Sequence, residues 1–401
     1  MAKLKLTPDD LLPEAKTQLC LPLKLGGFGL RLVATTAPTA YLGSLAAAAP
    51  ALLDTIRPAQ SLPTSANLLA SITHCQQLIY PDEKRSASAM KLPPPDAFLD
   101  HFATSTSPTL KLQHTLTQQV DRHHLASLHH SDHPDLKAAA HFTSLQQKGA
   151  SAWLSTVPTR PEFILKDNAF RQCARLRLLL PPHHILPPQC ACGEPLDQPD
   201  HFLVCNKLKG LSVTLRHDFI RNFLHRIIDR GGAAVHLEPN YTDRGRPDLY
   251  VYHESHRTMV DVSVIHSAAA SYVDHAQRPL GAAAFREREK ERRYATLITE
   301  EKAELVPFVM ESTGAVGQQA KQFIDRLVLS LNLAREFNAA WEVKDYLSRG
   351  LAIALQRGNA AVMLQGQQRA NSAAISKRRP RFGAGARRLS LAALGAAPDG
   401  E

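Results

Sequence analysis

The most regular pattern of hydrophobic and polar positions lies in the second half of the chain. Apolar residues recur every three or four positions over residues 213–230, which predicts an amphipathic helix that ends at Gly231. The predicted apolar face of this helix consists of Leu215, Phe219, Phe223, Leu224 and Ile227. Runs rich in β-branched and aromatic residues follow it and predict strands at residues 233–237, 249–253, 258–265 and 305–310.

Two further segments of this half have helical character. They are a charged stretch at residues 282–303 and a helical pattern at residues 320–337. The resulting order of helix, three strands, helix, strand and helix predicts an α/β core of about 130 residues.

The rest of the chain has shorter patterns. Residues 41–49 and 67–79 predict short helices, and Pro50 is expected to end the first of them. Residues 151–180 have a helical pattern that stops at Pro181. The predicted organisation is a mostly helical connector (1–150), a helix (151–188), a cysteine-rich segment (189–206), an α/β domain (207–340), a helical segment (341–370) and a basic disordered tail (371–401).

Composition and charge narrow the function classes. Hydrophobic residues make up 44% of the chain, which is typical of a globular protein, and no apolar run reaches the roughly 18 residues that span a bilayer. Residues 1–10 are charged and lack the apolar core of a signal peptide, so we expect an intracellular protein without membrane association. The net charge of +10 favours a polyanionic partner, first of all nucleic acid.

The cysteine-rich segment has the spacing of a zinc knuckle. Cys190 and Cys192 flank one residue, and His201 and Cys205 are four apart, so they share one face if this stretch is helical. Zinc takes four such ligands, and with all four supplied by protein the site is structural. A loop this short buries little apolar surface, so metal binding would supply its folding free energy, ~10 kcal/mol or more. The alternative is a chance grouping of buried cysteines and a surface histidine.

The strands at 249–253 and 258–265 predict a β-hairpin with its loop centred on residues 255 and 256. In that register Tyr250 faces Asp261, and Asp248 faces Ser263. Asp248 and Asp261 then lie on the same face of the sheet as diagonal neighbours, with Cβ atoms about 6–8 Å apart. A slip of one residue would move Asp261 to the opposite face.

Two carboxylates at this separation can hold one Mg²⁺ ion. Asp261 lies among valines in a core strand, where an unpaired carboxylate costs several kcal/mol, and a metal or a basic partner offsets that cost. The alternative to a magnesium site is a salt bridge from these aspartates to an arginine such as Arg244 or Arg246.

The motif Pro247-Asp248, followed by an acidic residue in the next strand, resembles the PD-(D/E)xK nuclease superfamily. More narrowly, the Cys/Cys/His/Cys segment followed by Arg246-Pro247-Asp248 and Asp261-Val262-Ser263 is similar to the C-terminal end of non-LTR retrotransposon proteins with a restriction-like endonuclease. This resemblance covers residues 151 to about 330. Residues 21–30 are also similar to the segment that follows the reverse transcriptase core in such proteins.

The resemblance implies a restriction-endonuclease-like fold, a mixed sheet flanked by helices, after a helical region and a zinc knuckle. It also implies Mg²⁺-dependent nicking of target DNA, whose freed 3′ end primes reverse transcription. The implied partners are DNA, element RNA and a reverse transcriptase domain of the parent element, in the nucleus. The segment Tyr272-Val273-Asp274-His275 lacks the second aspartate of a polymerase motif, so we expect a nuclease fragment without the polymerase.

One position departs from the superfamily pattern. Ser263 stands where the superfamily usually has lysine, and in the retrotransposon branch the lysine lies on the following helix. Lys290 and Tyr294, four residues apart in the predicted charged helix, resemble the lysine and tyrosine of that branch. Lys290 would orient the attacking water or neutralise charge on the phosphate. Arg286 and Arg293 are its rivals, and the alternative is a solvated charged helix.

Glu238, at the end of the first predicted strand, is a possible third catalytic acid, with a purely structural carboxylate as the alternative. The candidate nucleic-acid-binding residues are Arg246, Arg286, Arg293, Lys377, Arg378 and Arg379. Two other functions stay open. The chain could be an inactive element fragment that binds nucleic acid through its knuckle and tail, or a repair-type nuclease that shares only the fold.

Overall fold

The computed structural model shows a mixed α/β protein in which helices predominate. The residues that it describes are 11–56, 66–79, 92–104, 111–129, 135–181, 186–208, 210–239, 246–253, 256–330 and 337–378. None of the helices in this described part is long and apolar enough to cross a membrane.

The N-terminal part is helical, as predicted. Its helices are α1 (Pro13–Cys20), α2 (Val33–Ile56), α3 (Ala66–Ile79), α4 (Phe98–Thr104), α5 (Leu112–His129) and α6 (Leu136–Leu145). The prediction that Pro50 ends a helix was wrong, because α2 contains both Pro38 and Pro50 and continues to Ile56. Leu42, Ala46 and Ala49 of α2 are buried in a common cluster with α3, α4 and α5, and this burial outweighs the hydrogen bond lost at proline.

The segment before the α/β core is less helical than its sequence pattern indicates. It contains α7 (Ala152–Ser155), a 3-10 turn at Pro161–Phe163 and α8 (Asp167–Arg177), so the continuous helix predicted for 151–180 was wrong. Pro158 and Pro161 lie between α7 and α8 and prevent continuation of the first helix. A short helix α9 (His201–Val204) and the long helix α10 (Leu211–Arg230) follow.

The four predicted strands are confirmed and form one sheet. They are β1 (Ala234–Leu237), β2 (Leu249–His253), β3 (His256–Ile265) and β4 (Glu304–Glu311). The spatial order is β1-β2-β3-β4, with antiparallel pairing from β1 to β3 and parallel pairing of β3 with β4. The parallel pair is connected through α11 (Gly281–Glu301), and α12 (Gln318–Ser330) and α13 (Ala340–Arg378) follow β4 in the described part of the chain.

The two faces of the sheet pack against different helices. Val260 and Val262 of β3 are buried in the main core with residues of α10, α12 and α13. Met259 lies on the opposite face and packs with Tyr294 and Leu297 of α11. Because side chains alternate along a strand, Asp261 is on the α11 face of the sheet.

The hairpin register differs from the predicted one by two residues. Tyr250 pairs with Met259 and not with Asp261, and the pairing extends as far as His253 with His256. The strands therefore pair closer to the turn than expected, which gains additional backbone hydrogen bonds. An even shift preserves the face of every side chain. Asp248 precedes the first pair, Leu249 with Val260, and its backbone N–H donates a hydrogen bond to the Val260 carbonyl.

The C-terminal helix also exceeds its predicted length. The helix α13 continues to Arg378, so residues 371–378 are helical and the prediction of a disordered tail was wrong for them. The remainder of the predicted tail, 379–401, lies outside the described residues. Along its length α13 packs against α10, α8 and α9, which connects this helix to the core.

Gly358 of α13 lies directly against the backbone of α10. A Cβ atom at this position would be 2.6 Å from the Cα atom of Arg216. We expect Gly358→Ala to push the two helices apart and to lower the free energy of unfolding by about 1–3 kcal/mol. Urea unfolding measures this change, with Gln368→Ala on the exposed face of α13 as the control. Equal unfolding midpoints for both variants would contradict it.

Candidate functional site

An open cleft of about 570 Å³ lies between α10, the strands β2 and β3, and α11. Its lining includes Asp248, Asp261, Lys290 and Tyr294, which the sequence singled out, together with His217, which it did not. The structure thus brings two predicted acids and the two predicted residues of α11 into one cavity. Their catalytic roles stay predictions.

Asp261 projects from the centre of β3 and is 3% exposed. Its Oδ2 atom is 2.6 Å from Nζ of Lys290, and its Oδ1 atom accepts a hydrogen bond of 2.6 Å from the Tyr294 hydroxyl. Both partners come from α11, on the face of the sheet to which Asp261 points. The cost of burying the carboxylate is offset by this ion pair and hydrogen bond.

Asp248 precedes β2 and is held against the neighbouring strand. Its Oδ2 atom accepts a hydrogen bond of 2.6 Å from the backbone N–H of Val262 and lies 2.9 Å from Nε2 of His217. Burial alone lowers the pKa of His217, but the hydrogen bonds and negative charges of Asp248 and Asp218 outweigh it and raise the pKa. These contacts fix the orientation of the Asp248 carboxylate.

Lys290 and Tyr294 are buried, contrary to the alternative of a solvated helix face. Lys290 is 7% exposed and Tyr294 is 1% exposed. Burial and the nearby Asp261 carboxylate raise the pKa of Tyr294, so its hydroxyl stays protonated and donates. The two rival cations, Arg286 and Arg293, line the same cleft, and Arg293 lies over the Tyr294 ring at 5.8 Å.

Glu238 is bound by two arginines and does not line the cleft. Arg221 and Arg246 both hydrogen-bond its carboxylate. Within the described part of the chain Glu238 is not a lining residue of the cleft, so the geometry favours the structural-carboxylate alternative over a third catalytic acid. The contact of Arg246 with Glu238 also bears on the alternative in which the two aspartates form salt bridges to Arg244 or Arg246. Arg246 pairs with Glu238, the described basic partner of Asp261 is Lys290, and Arg244 lies outside the described residues.

The residues of the cleft fit a magnesium ion in two respects. Asp248 uses Oδ2 for both of its described hydrogen-bonding contacts, and within the described residues no partner is found for its Oδ1 atom. Asp248 and Asp261 line the same open cavity, and hard oxygen donors of this kind are the ligands that Mg²⁺ prefers. An ion between them would compete with Lys290 for the Asp261 carboxylate.

Two residues of α10 were missed by sequence reasoning. The predicted apolar face placed Leu215 and Phe219 in the core, but they are 39% and 37% exposed, and that part of the prediction was wrong. The buried face instead contains Ile220, and the charged Arg216 on the same side is only 4% exposed. The sequence signal for these residues was that Arg216, a charged residue, has the helical spacing of the buried positions of α10. His217 stands directly beside it.

The four predicted zinc ligands converge. The Sγ atoms of Cys190 and Cys205 are 3.7 Å apart, and Sγ of Cys192 is 3.4 Å from Nε2 of His201. All four donor atoms lie within 4.8 Å of one another. Tetrahedral zinc with bonds of about 2.0–2.3 Å requires donor separations of about 3.5–3.8 Å, so the cluster could bind zinc.

Burial keeps the Cys190 thiol of this cluster neutral unless a cation binds beside it. Burial raises the pKa of the Cys190 thiol to about 12, so a thiolate at this position needs a positive partner. Phe202 and Leu203 beside the ligands pack with Val362 and Met363 of α13. The cluster is therefore anchored to the long C-terminal helix and does not form an isolated loop.

A buried hydrogen bond between a histidine and an aspartate connects the cluster to the sheet. Nε2 of His266, the residue after β3, is 2.6 Å from Oδ2 of Asp200, which precedes the ligand His201. The other ring nitrogen of His266 is 2.7 Å from Oγ of Ser312. Burial would raise the pKa of Asp200, but the hydrogen bond and charge of His266 lower it to about 2. This contact therefore joins the cluster to the end of β3, the strand that carries Asp261.

The candidate nucleic-acid-binding residues divide into two groups. Arg246, Arg286 and Arg293 all line the cleft. Lys377 and Arg378 belong to the last turn of α13, where their side chains are outside the described part of the structure, as is the whole of Arg379. A role of the basic C-terminal segment therefore stays a prediction.

No model of a known protein family matches the chain. The chain is similar to a protein of Trypanosoma brucei gambiense that is described as the retrotransposable element SLACS 132 kDa protein, with 24% identity over 240 residues. The similarity supports a retrotransposon origin. The aligned region covers 57% of this chain and 19% of that protein, so the chain matches about a fifth of the relative's length.

Proposed function

We propose that the chain carries a Mg²⁺-dependent DNA endonuclease of the restriction-like type, which nicks target DNA during integration of a retrotransposable element. The observation that carries this proposal is the convergence of Asp248, Asp261, Lys290 and Tyr294 in one open, basic cleft. The retrotransposon similarity supports a nucleic-acid partner. DNA is the proposed substrate, and the nucleus is the proposed place of action. Element RNA and a reverse transcriptase domain of the parent element are the proposed further partners.

The reaction proposed is hydrolysis of a phosphodiester bond. Magnesium held by Asp248 and Asp261 would supply an activated water and polarise the phosphate when bound. His217 and the Val262 N–H hold Asp248 in place, and the Tyr294 hydroxyl orients Asp261. The Lys290 ammonium stabilises the negative charge that develops on the phosphate. The proposed zinc knuckle contacts the end of β3, which forms one wall of the cleft, through the hydrogen bond of Asp200 with His266.

A nicking assay tests the proposal directly. The purified chain is incubated with supercoiled plasmid DNA, with and without Mg²⁺, and the relaxed form is quantified. Conversion that requires Mg²⁺ supports the nuclease. Binding of the plasmid without any conversion over a range of Mg²⁺ and Mn²⁺ concentrations would favour the inactive nucleic-acid-binding fragment. Branched DNA cut in preference to plain duplex would favour the repair-type nuclease.

The charge of Lys290 provides a second test. We expect Lys290→Met to lower the nicking rate about 10²–10³-fold with little change in DNA affinity, because the ammonium acts on charge that develops in the transition state. Arg288→Met, an exposed charge on the same helix, is the matched control. Equal rates for the two variants would exclude Lys290 from the catalytic group and leave Arg286 and Arg293 as the candidates.

A further inference from the structure

The cleft contains more positive charge than its acids neutralise. The Lys and Arg residues that line it are Arg216, Arg246, Arg286, Lys290 and Arg293, against the two acids Asp248 and Asp261. Lys290 pairs with Asp261, Arg246 with Glu238, and Arg286 with Glu289. Arg293 is exposed and screened by solvent. Arg216 is different, because its charge is both buried and without a described acidic partner.

Arg216 lies on the face of α10 that forms one wall of the cleft. Val213, Arg216 and His217 all line the cavity, which is the spacing of one helix face. Arg216 is only 4% exposed, and its Nε and Nη1 atoms are buried with no hydrogen-bond partner among the described residues. The approach of Gly358 covers the base of the side chain from the other side.

A buried guanidinium without a partner is unfavourable in the free protein. Burial lowers the pKa of Arg216 to about 10, which still leaves the group charged near neutral pH. A charged group in this position is stabilised by an anion that enters the cleft. The flat fork of N–H donors on arginine matches phosphate oxygens in a bidentate arrangement.

We propose that Arg216 binds a backbone phosphate of the DNA strand in the cleft, beside the phosphate that is cut. The position follows from the helix, because the adjacent residue His217 contacts Asp248. The proposal rests on the nuclease function for the identity of the polyanion. It assigns Arg216 a binding role that is separate from the chemistry at Asp248 and Asp261.

The test measures binding, not cutting. Affinity of Arg216→Met for a short fluorescent DNA duplex is measured without added Mg²⁺ over a series of salt concentrations. The matched control is Arg226→Met, which removes an exposed arginine from the same helix. We expect Arg216→Met to bind about tenfold more weakly than the control and to reduce the slope of log affinity against log salt by about 0.9. The melting temperature of its free form should rise, because a buried unpaired charge is gone.

An affinity and a salt slope equal to those of the control would overturn the proposal. A lower melting temperature with an unchanged slope would also overturn it, since Arg216 would then be structural. If Arg216→Met fails to fold, Arg216→Lys replaces it. This variant keeps the charge and loses the fork, so it should bind several-fold more weakly with a slope near the wild-type value, and wild-type affinity would contradict the proposal. Lack of nicking by the wild-type chain, with the Arg216 effect on binding intact, would count against the nuclease alone.

Discussion

Replacing Asp248 by Asn is expected to lower the rate of Mg²⁺-dependent nicking about 10³-fold or more and to leave DNA affinity nearly unchanged. Asparagine keeps the shape of the side chain, and its carbonyl oxygen can still accept the hydrogen bond from the Val262 N–H. What it loses is the negative charge that attracts a divalent ion. Plasmid relaxation and duplex binding, measured on the same preparation, separate the two effects.

Asp261→Asn should show the same loss of nicking, with an additional effect on stability. The substitution leaves the Lys290 ammonium buried beside a neutral amide, and breaking a buried ion pair in this way costs about 3–5 kcal/mol. The double variant Asp261→Asn/Lys290→Met removes both charges and should recover part of that loss without recovering activity. Asp345→Asn, at a half-buried aspartate that pairs with Arg349, is the control for the charge change. Nicking that survives in both single variants would eliminate the proposed site.

The second large expected effect is on the zinc content and the stability of the predicted knuckle of Cys190, Cys192, His201 and Cys205. We expect the wild-type chain to contain one zinc ion and Cys205→Ser to contain less than half an equivalent. Structural zinc contributes ~10 kcal/mol or more of folding free energy in small zinc-binding units, and here the ligands are also packed against α13. Chelation should therefore lower the melting temperature of the wild type substantially. Zinc is measured by mass spectrometry and stability by thermal unfolding.

Cys75→Ser serves as the control for this experiment. Cys75 is also a fully buried cysteine, but it lies among the N-terminal helices, away from the cluster. Its replacement should leave the zinc content unchanged. Equal zinc content in Cys75→Ser and Cys205→Ser, or no zinc in the wild type, would show that the four residues are grouped without binding metal.

The aspartate variants test the cleft and the cysteine variants test the Cys/His cluster, and these two sites are connected in the structure. The pair of Asp200 and His266 connects the residue before a zinc ligand with the end of the strand that carries Asp261. Loss of zinc should therefore also reduce nicking, through displacement of the cleft wall, whereas Asp248→Asn should leave the zinc content intact. This asymmetry distinguishes a structural metal from a catalytic one.

The sequence by itself determined the features that depend on spacing along the chain. The four strands were predicted because they are runs rich in β-branched and aromatic residues. Asp248 and Asp261 line the same cleft, because a two-residue register shift leaves the face of every side chain unchanged. The four predicted zinc ligands lie together, as their spacing indicated. Lys290 and Tyr294, four residues apart on a helix, meet the same carboxylate.

Only the tertiary structure decided which groups meet across elements. It assigned Glu238 to two arginines, placed Pro50 inside a helix and turned Arg216 and His217 toward the cleft in place of Leu215 and Phe219. Each of these outcomes is set by burial against a distant segment, such as the covering of α10 by α13. The periodicity of one segment contains no information on the neighbour that covers it, and for that reason local pattern alone did not identify these partners.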